Sequence, residues 1–293
     1  MFLNNFEYFA PQTPEEALTL LDRFGDKAKV LAGGTDLFLL MKDKLLQPEY
    51  MIDINQITGF KGISYEPGQG ATIGAATKIV EVERDAIIRE KYYVLHQAAS
   101  ELGSVQVRTM ATIGGNSCNA SPAAETPTPL VALGAKVVLH SLSGKREMPL
   151  AEFILGNRKT ALKPGELLAC FILPEPLPRS AGRYAYIGLR EAMEIDAVNM
   201  AVYIVLEDDS RTVKDLRLIM GSVAPRPLFS REVSALLTGK EPNPALIEKA
   251  AEAASGEASP ISDIRGSAEY RHEMVKVLAR RLLQETYTAA KEA

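Results

Sequence analysis

The sequence predicts an α+β fold in two parts, a small parallel unit at the start and an antiparallel sheet with helices at the end. Three observations predict it. A strand, helix, strand pattern occupies residues 29–54, and a parallel pair needs such a crossover. Prolines at 174, 176 and 178 stop a long apolar run and mark the best boundary in the chain. Beyond them, three strand-like runs are followed only by helical ones. The 293 residues suffice for two domains with their own cores.

Taken in order, Thr13-Pro14-Glu15-Glu16 starts a short helix that reaches about Phe24: Thr caps, Pro takes the first turn, and the acids favour the positive end of the helix dipole. Lys29 to Leu31 is a short buried strand, residues 36–46 have helical apolar spacing, and residues 51–54 form the next strand. Residues 62–77 read as a hairpin around a Pro-Gly and Gly turn, and 79–89 and 93–102 as helices. Residues 129–133 open as a helical turn before a strand at 135–140; 143–145 turn into 146–149, and 165–173 form one more strand. After the prolines come strands at 183–189, 197–206 and 213–222, the last two joined by the acidic turn Glu207-Asp208-Asp209. Helices follow at 230–237, 244–254 and 269–290, the last with Met274, Val277, Leu278, Leu282 and Leu283 on one face.

Between Arg108 and Val138 a polar, glycine- and proline-bearing stretch separates two apolar ones. Thr112, Gly114, Gly115, Asn116 and Ser121 put hydroxyls, an amide and two bare backbones within a short span, which suits a cradle for an anion such as a pyrophosphate. A second small-residue turn, Ala32-Gly33-Gly34-Thr35-Asp36, follows Val30 and Leu31. Either turn alone reads as a tight connection between strands; the two together suit a long, bisphosphate-bearing ligand.

Composition removes several classes. Hydrophobic residues make up 46% and charged ones 24%, with a net charge of −4 and no Lys/Arg stripe, so nucleic acid is not an expected partner. The N-terminus lacks a basic region followed by an apolar one, and no stretch approaches the roughly 20 apolar residues of a membrane span. A cytoplasmic location is the expectation. Cys118 and Cys170 are too few and too far apart for a metal or iron–sulfur site, and His96, His140 and His272 are scattered, so no metal ligands are assigned. Cys118 is read as a small buried thiol and Asp208-Asp209 as a solvated turn.

Five motifs in order, LAGGTDL (31–37), RTMATIGGN (108–116), ASPAAETPTPLVALGA (120–135), REAMEID (190–196) and SDIRGSAEYR (262–271), resemble the FAD-binding, medium-size subunit of molybdenum hydroxylases, the family of xanthine dehydrogenase, aerobic carbon monoxide dehydrogenase and nicotinate dehydrogenase. The resemblance spans nearly the whole chain. It implies an FAD-binding domain over 1–175, built from a small parallel α/β unit (about 1–57) and a mainly antiparallel sheet with helices (58–175). A C-terminal domain over 179–293, of three antiparallel strands and a helical bundle, completes the α+β fold. It further implies a chain that takes electrons from two [2Fe–2S] clusters of a small subunit, themselves supplied by the molybdenum cofactor of a large subunit. The electrons pass to NAD⁺ or another acceptor, in a dimer of heterotrimers of the xanthine dehydrogenase type.

Carried over by position, the resemblance places Lys29, Val30, Leu31, Ala32, Gly33, Gly34, Thr35 and Asp36 around the pyrophosphate and ribityl chain of FAD. Thr112, Ile113, Gly114, Gly115 and Asn116 close from the other side, with Leu102 and Ser121 as further contacts. Glu125 stands where relatives commonly carry Asp and bonds a ribose or the adenosine half; Leu168 flanks the flavin ring or adenine. Ile195 lies over the reactive face of the isoalloxazine, so the chain contributes no acid–base catalyst of its own. Tyr186 replaces a lysine that many relatives place near the flavin, which disfavours negative charge there. Arg265 and Arg271 are expected to pair structurally at a domain or subunit contact. The clustered cysteines of the 4-hydroxybenzoyl-CoA reductase branch are missing from this sequence. Two other functions fit the fold: a self-contained FAD-dependent oxidoreductase, and a flavin-free assembly or sensor protein. Few acid–base residues after Pro178 weigh against the first, and intact Gly33, Gly34, Gly114 and Gly115 against the second.

Overall fold

The computed structural model describes residues 3–190 and 193–293; Glu191 and Ala192 of the REAMEID motif lie outside the described residues. The first part opens with β1 (Glu7–Phe9), α1 (Pro14–Phe24), β2 (Ala28–Leu31), α2 (Leu37–Lys42) and β3 (Tyr50–Asp53). The hairpin β4 (Ile63–Glu66) and β5 (Gly70–Gly74) follows, then helices α3 (Ile79–Arg84), α4 (Ala86–Lys91), α5 (Tyr93–Glu101), α6 (Val105–Met110), α7 (Ile113–Asn119) and α8 (Pro127–Ala132). Next come β6 (Lys136–Ser141), β7 (Gly144–Pro149), α9 (Leu150–Phe153), β8 (Ile154–Gly156), β9 (Lys159–Thr160) and β10 (Leu167–Leu173). The last part holds β11 (Ser180–Ile187), β12 (Val198–Leu206), β13 (Val213–Gly221), β14 (Leu228–Phe229), α10 (Arg231–Leu237), α11 (Pro244–Glu257) and α12 (Ala268–Glu292).

The strand, helix, strand pattern becomes a three-stranded parallel sheet in the order β1-β3-β2. Its edge strand β1 has no counterpart in the sequence reading, because Glu-Tyr-Phe shows only one alternation and its residues stay largely exposed. Helix α1 starts as expected, with the Thr13 hydroxyl accepting from the Glu16 amide at 3.2 Å. A five-stranded antiparallel sheet, β4-β5-β10-β6-β7, forms the second layer, and α3, α5 and α8 bury their apolar faces in the same core. The small pair β8-β9 was also not foreseen.

The second part has the three expected long antiparallel strands, extended by the two-residue β14, in the order β11-β12-β13-β14. Helices α10, α11 and α12 cover one face of it. Strand β12 is buried along its whole length. Val198, Met200, Val202, Ile204 and Leu206 face the helices, while Ala201, Tyr203 and Val205 enter the core of the first part. Strand periodicity of two thus lets one strand serve two cores. Among the described residues, no helix is long and apolar enough to cross a membrane.

Candidate functional site

The Arg108–Val138 stretch is less of a loop than its glycines suggest. Thr112 caps α7, its hydroxyl accepting from the Gly115 amide at 3.1 Å, so Gly114, Gly115 and Asn116 lie in the first turns of a helix. Tertiary contact overrides the poor helix propensity of Gly-Gly-Asn. Gly114 donates to the Ala75 carbonyl at 2.9 Å, and a Cβ there would stand 2.6 Å from the Ala75 Cβ. Only glycine lets the helix approach the turn after β5 so closely.

The other turn follows β2. Gly33 lies directly against the backbone of residues 110 and 111, where an added Cβ would sit 2.7 Å from the Ala111 Cα. The two turns, about 80 residues apart in sequence, therefore form facing walls of one cleft. The cleft encloses about 640 Å³, within the roughly 300–1,000 Å³ usual for a ligand site. Lys29, Val30, Ala32, Gly33, Gly34, Thr35 and Asp36 line one wall, and Thr112, Gly114, Gly115 and Asn116 the other. Leu102, Ser121, Glu125, Leu168 and Ile195 complete the set that the sequence placed there. Leu168 reaches the cleft at an irregularity, since the register of β10 against β6 shifts between Leu168 and Cys170. Ile195 stands at the rim, 49% exposed, on a turn tied down by the Met193 amide donating to the Gly103 carbonyl at 2.9 Å.

Three expected residues are not part of the lining. The side chains of Leu31 and Ile113 point into the hydrophobic core, because β2 and α7 each bury one face, and their neighbours supply the walls. Tyr186 lies on β11 outside the lining, and its hydroxyl donates to Glu101 Oε2 at 3.3 Å. In turn, Gly103, Asn119, Leu162 and Glu166 line the cleft without having been read as site residues. Glu166 is gripped by Arg146, whose Nε and Nη2 donate to its two oxygens at 2.7 and 2.8 Å, and this holds its carboxyl below the usual range. Nothing in the local pattern around Glu166 distinguishes it from a strand residue; Gly103 carried the signal of a helix end.

Cys118 also lines the cleft, and burial pushes its thiol up to about 12, so it stays neutral. Asp36 is raised by burial, with Arg158 acting against it. Glu125 is raised by burial first and then by Asp196. Asp196 is raised by burial against the hydrogen bonds it receives, from Asn199 Nδ2 at 2.9 Å and the Tyr184 hydroxyl at 3.1 Å. Thr126 donates to Asn116 Oδ1 at 2.6 Å and Thr128 to Asn199 Oδ1 at 2.8 Å. These bonds join the second wall of the cleft to the C-terminal sheet.

Residues 4–176 match the family described as the FAD binding domain in molybdopterin dehydrogenase, and residues 184–286 that of the CO dehydrogenase flavoprotein C-terminal domain. The chain belongs to the FAD-binding medium subunits of molybdenum hydroxylases. It is 31% identical to the glyceraldehyde dehydrogenase medium chain of Sulfolobus acidocaldarius, over 97% of this chain and 99% of that one. It is 28% identical to the xanthine dehydrogenase FAD-binding subunit of Escherichia coli O157:H7, over 97% and 96%. A solved carbon monoxide dehydrogenase of Hydrogenophaga pseudoflava, in a form lacking the Mo-pyranopterin moiety of its cofactor, superposes with a TM-score of 0.94 at 31% identity, over 98% of this chain and 99% of that one.

The cleft of this flavin subunit fits its cofactor on structural grounds. At Gly33 and Gly114 the missing Cβ lets the walls close on neighbouring backbone, at residues 110 and 111 and at Ala75, while Gly33, Gly34, Gly114 and Gly115 still line the cleft. Asp36, Glu125 and Asn116 supply acceptors and an amide for hydroxyl groups, while Leu102, Leu168 and Ile195 supply apolar surface for rings.

Proposed function

We propose that this subunit is the electron exit of a molybdenum hydroxylase, working beside a small subunit with two [2Fe–2S] clusters and a large subunit with the molybdenum cofactor. A cytoplasmic dimer of heterotrimers is the assembly that fits this reading, with the flavin domain over 1–175 and the C-terminal domain over 179–293. When bound, FAD supplies the two-electron chemistry, and the chain supplies binding, orientation and access. Residues 29–36 and 112–116 would hold the pyrophosphate and ribityl region from two sides. Glu125 would accept from a ribose hydroxyl, Leu168 would flank a ring, and Ile195 at the rim would control what reaches the ring system.

The observation that carries this reading is the convergence of two distant glycine turns on a single cleft. Relatives named for glyceraldehyde and xanthine match this chain over nearly its whole length, and a carbon monoxide dehydrogenase chain superposes on it, which supports a reading in which the large subunit selects the hydroxylated substrate. NAD⁺ or another acceptor would take the electrons.

An absorbance spectrum of the purified chain, before and after adding FAD, tests the assignment. A flavin spectrum in the wild type, lost in Gly33→Val, is expected; a chain that stays colourless with added FAD overturns it. Bleaching of that spectrum by NADH tests the acceptor, and an unchanged spectrum would remove NAD⁺.

A further inference from the structure

The two walls of the cleft come from distant parts of the chain, and a ligand that touches both needs their spacing held. Among the described residues, no backbone hydrogen bond joins residues 32–36 to residues 110–116. Gly33 packs against the backbone of residues 110 and 111, and two half-buried polar side chains behind the lining add the hydrogen-bonded connection. Asn55 Nδ2 donates to the Ala32 carbonyl, beside Gly33, at 2.7 Å. Lys78 Nζ donates to the Met110 carbonyl, two residues before Thr112, at 3.0 Å, and to Asn55 Oδ1 at 3.4 Å. The path Ala32, Asn55, Lys78, Met110 thus runs from one wall to the other.

Both ends of this path are themselves anchored. Asp53 Oδ1 accepts from the Asn55 amide at 2.8 Å and from Asn55 Nδ2 at 2.7 Å, and Asp53 Oδ2 accepts from the Tyr8 hydroxyl at 2.5 Å. Lys78 sits on a strap bound to the second wall: Ile79 N donates to the Ala111 carbonyl at 2.9 Å, Ile113 N to Thr77 at 3.1 Å, and Gly114 N to Ala75 at 2.9 Å. The residue types suit the task. A carboxamide offers a donor to one wall and an acceptor to the ammonium, and an ammonium has three donors to divide between two acceptors.

We propose that Asn55 and Lys78 are positioning residues that hold the two glycine walls at the separation FAD requires, without touching it. The proposal rests on the FAD reading of the cleft and adds residues that neither turn contains. Neither residue lines the cleft. A substitution at either therefore changes the spacing of the walls and removes no group from the binding surface.

The test uses the full chain, with two measurements on Lys78→Met, Lys78→Arg and Asn55→Asp. Asn55→Asp keeps an acceptor for Lys78 but turns a carboxylate toward the Ala32 carbonyl. The first measurement is amide hydrogen exchange without FAD at Gly114–Asn116 and at Phe38 and Leu40, whose amides bond the Gly34 and Asp36 carbonyls. Exchange about tenfold faster at both walls in Lys78→Met and Asn55→Asp, with α12 unchanged and protection restored in Lys78→Arg, is expected. Acceleration at one wall only, or none, overturns the brace. The second is FAD affinity: a loss of about 10-fold or more in Lys78→Met, recovered in Lys78→Arg, is expected for a charged hydrogen bond. Unchanged affinity beside loosened walls overturns the link to the cofactor. A wild type that takes up no FAD defeats the functional reading instead, and hydrogen exchange still decides the brace.

Discussion

The polar groups at the seam between cleft and C-terminal sheet set a pH dependence of their own. Glu125 and Asp196 are both raised above the usual carboxylate range, chiefly by burial, with Asp196 adding to the cost of ionising Glu125, and Glu101 and Glu194 to that of Asp196. A carboxyl raised in the folded state is more protonated there than in the unfolded chain. Its contribution to stability is therefore complete below about pH 4, the unfolded value, and is lost as pH climbs through the raised one. The Tyr184 hydroxyl, also held protonated by burial and by Asp196, adds nothing to the titration in that window. The FAD-free chain should lose stability, on the order of a few kcal/mol, between about pH 5 and about pH 8. In Asp196→Asn the slope should flatten, as read by urea midpoints at each pH; a parallel slope in both proteins would show that other groups set it. At this scale the sequence told a great deal about the lining, since glycine, hydroxyl and amide residues in a short run carry a backbone signal. It could not tell that Asp196 sits beside Glu125, because that neighbourhood exists only once the strands of both parts have docked. Nor could it tell that Leu31 and Ile113 turn inward, which depends on the side of β2 and α7 that each core claims.

Elements follow the same division between local and long-range information. Helix α1 was legible because its signals are neighbours, Thr13 with Glu16 and Pro14 in the first turn. Helix α7 was hidden because its glycines argue against a helix, and the strap at residues 75–77 that supports it is far away in sequence. The start of α12 shows how a motif without catalytic content can still be decisive. Arg271, 3% exposed, donates through Nη1 to the Ala197 and Ser222 carbonyls at 2.9 and 3.0 Å and through Nη2 to Asp263 Oδ1 at 2.5 Å. Asp263 also receives Arg265 Nη1 at 2.8 Å, so both arginines pair structurally, but with partners inside the C-terminal part and not at the domain or subunit contact expected of them. One guanidinium thereby joins α12 to the start of β12 and the end of β13. Replacing it with Met keeps the stem but strands two carbonyls and leaves Asp263 with Arg265 alone, at a cost of about 3 kcal/mol. Urea unfolding should move to a lower midpoint accordingly, and a change below about 1 kcal/mol would mean that water takes over those groups.

For the whole molecule, the prolines at 174–178 divide the chain without separating two bodies. They lie between β10 and β11, where a boundary in sequence was read. Yet β12 sends Ala201, Tyr203 and Val205 into the same core as Ile73, Leu95, Leu130 and Phe171, while its alternate residues pack under α11 and α12. Period-two alternation was visible nowhere in β12, since both of its faces are apolar, and a strand buried on both sides is the one kind whose partners the pattern does not reveal. Tyr184, at 3% exposure, and the Thr128–Asn199 bond tighten the same seam. The fragment 1–178 would therefore expose the side of its core that β11 and β12 cover, including Val94 and Leu130, and leave Thr128 without its partner. Apolar surface returned to water at roughly 25 cal/mol per Å² outweighs the margin by which a domain of this size is stable. Expressed alone, 1–178 should show no cooperative thermal transition and no FAD uptake, and both should return when 179–293 is supplied on a second chain. A fragment that melts cooperatively and binds FAD by itself would instead show that the first part completes its own core and that the shared strand is a later docking contact.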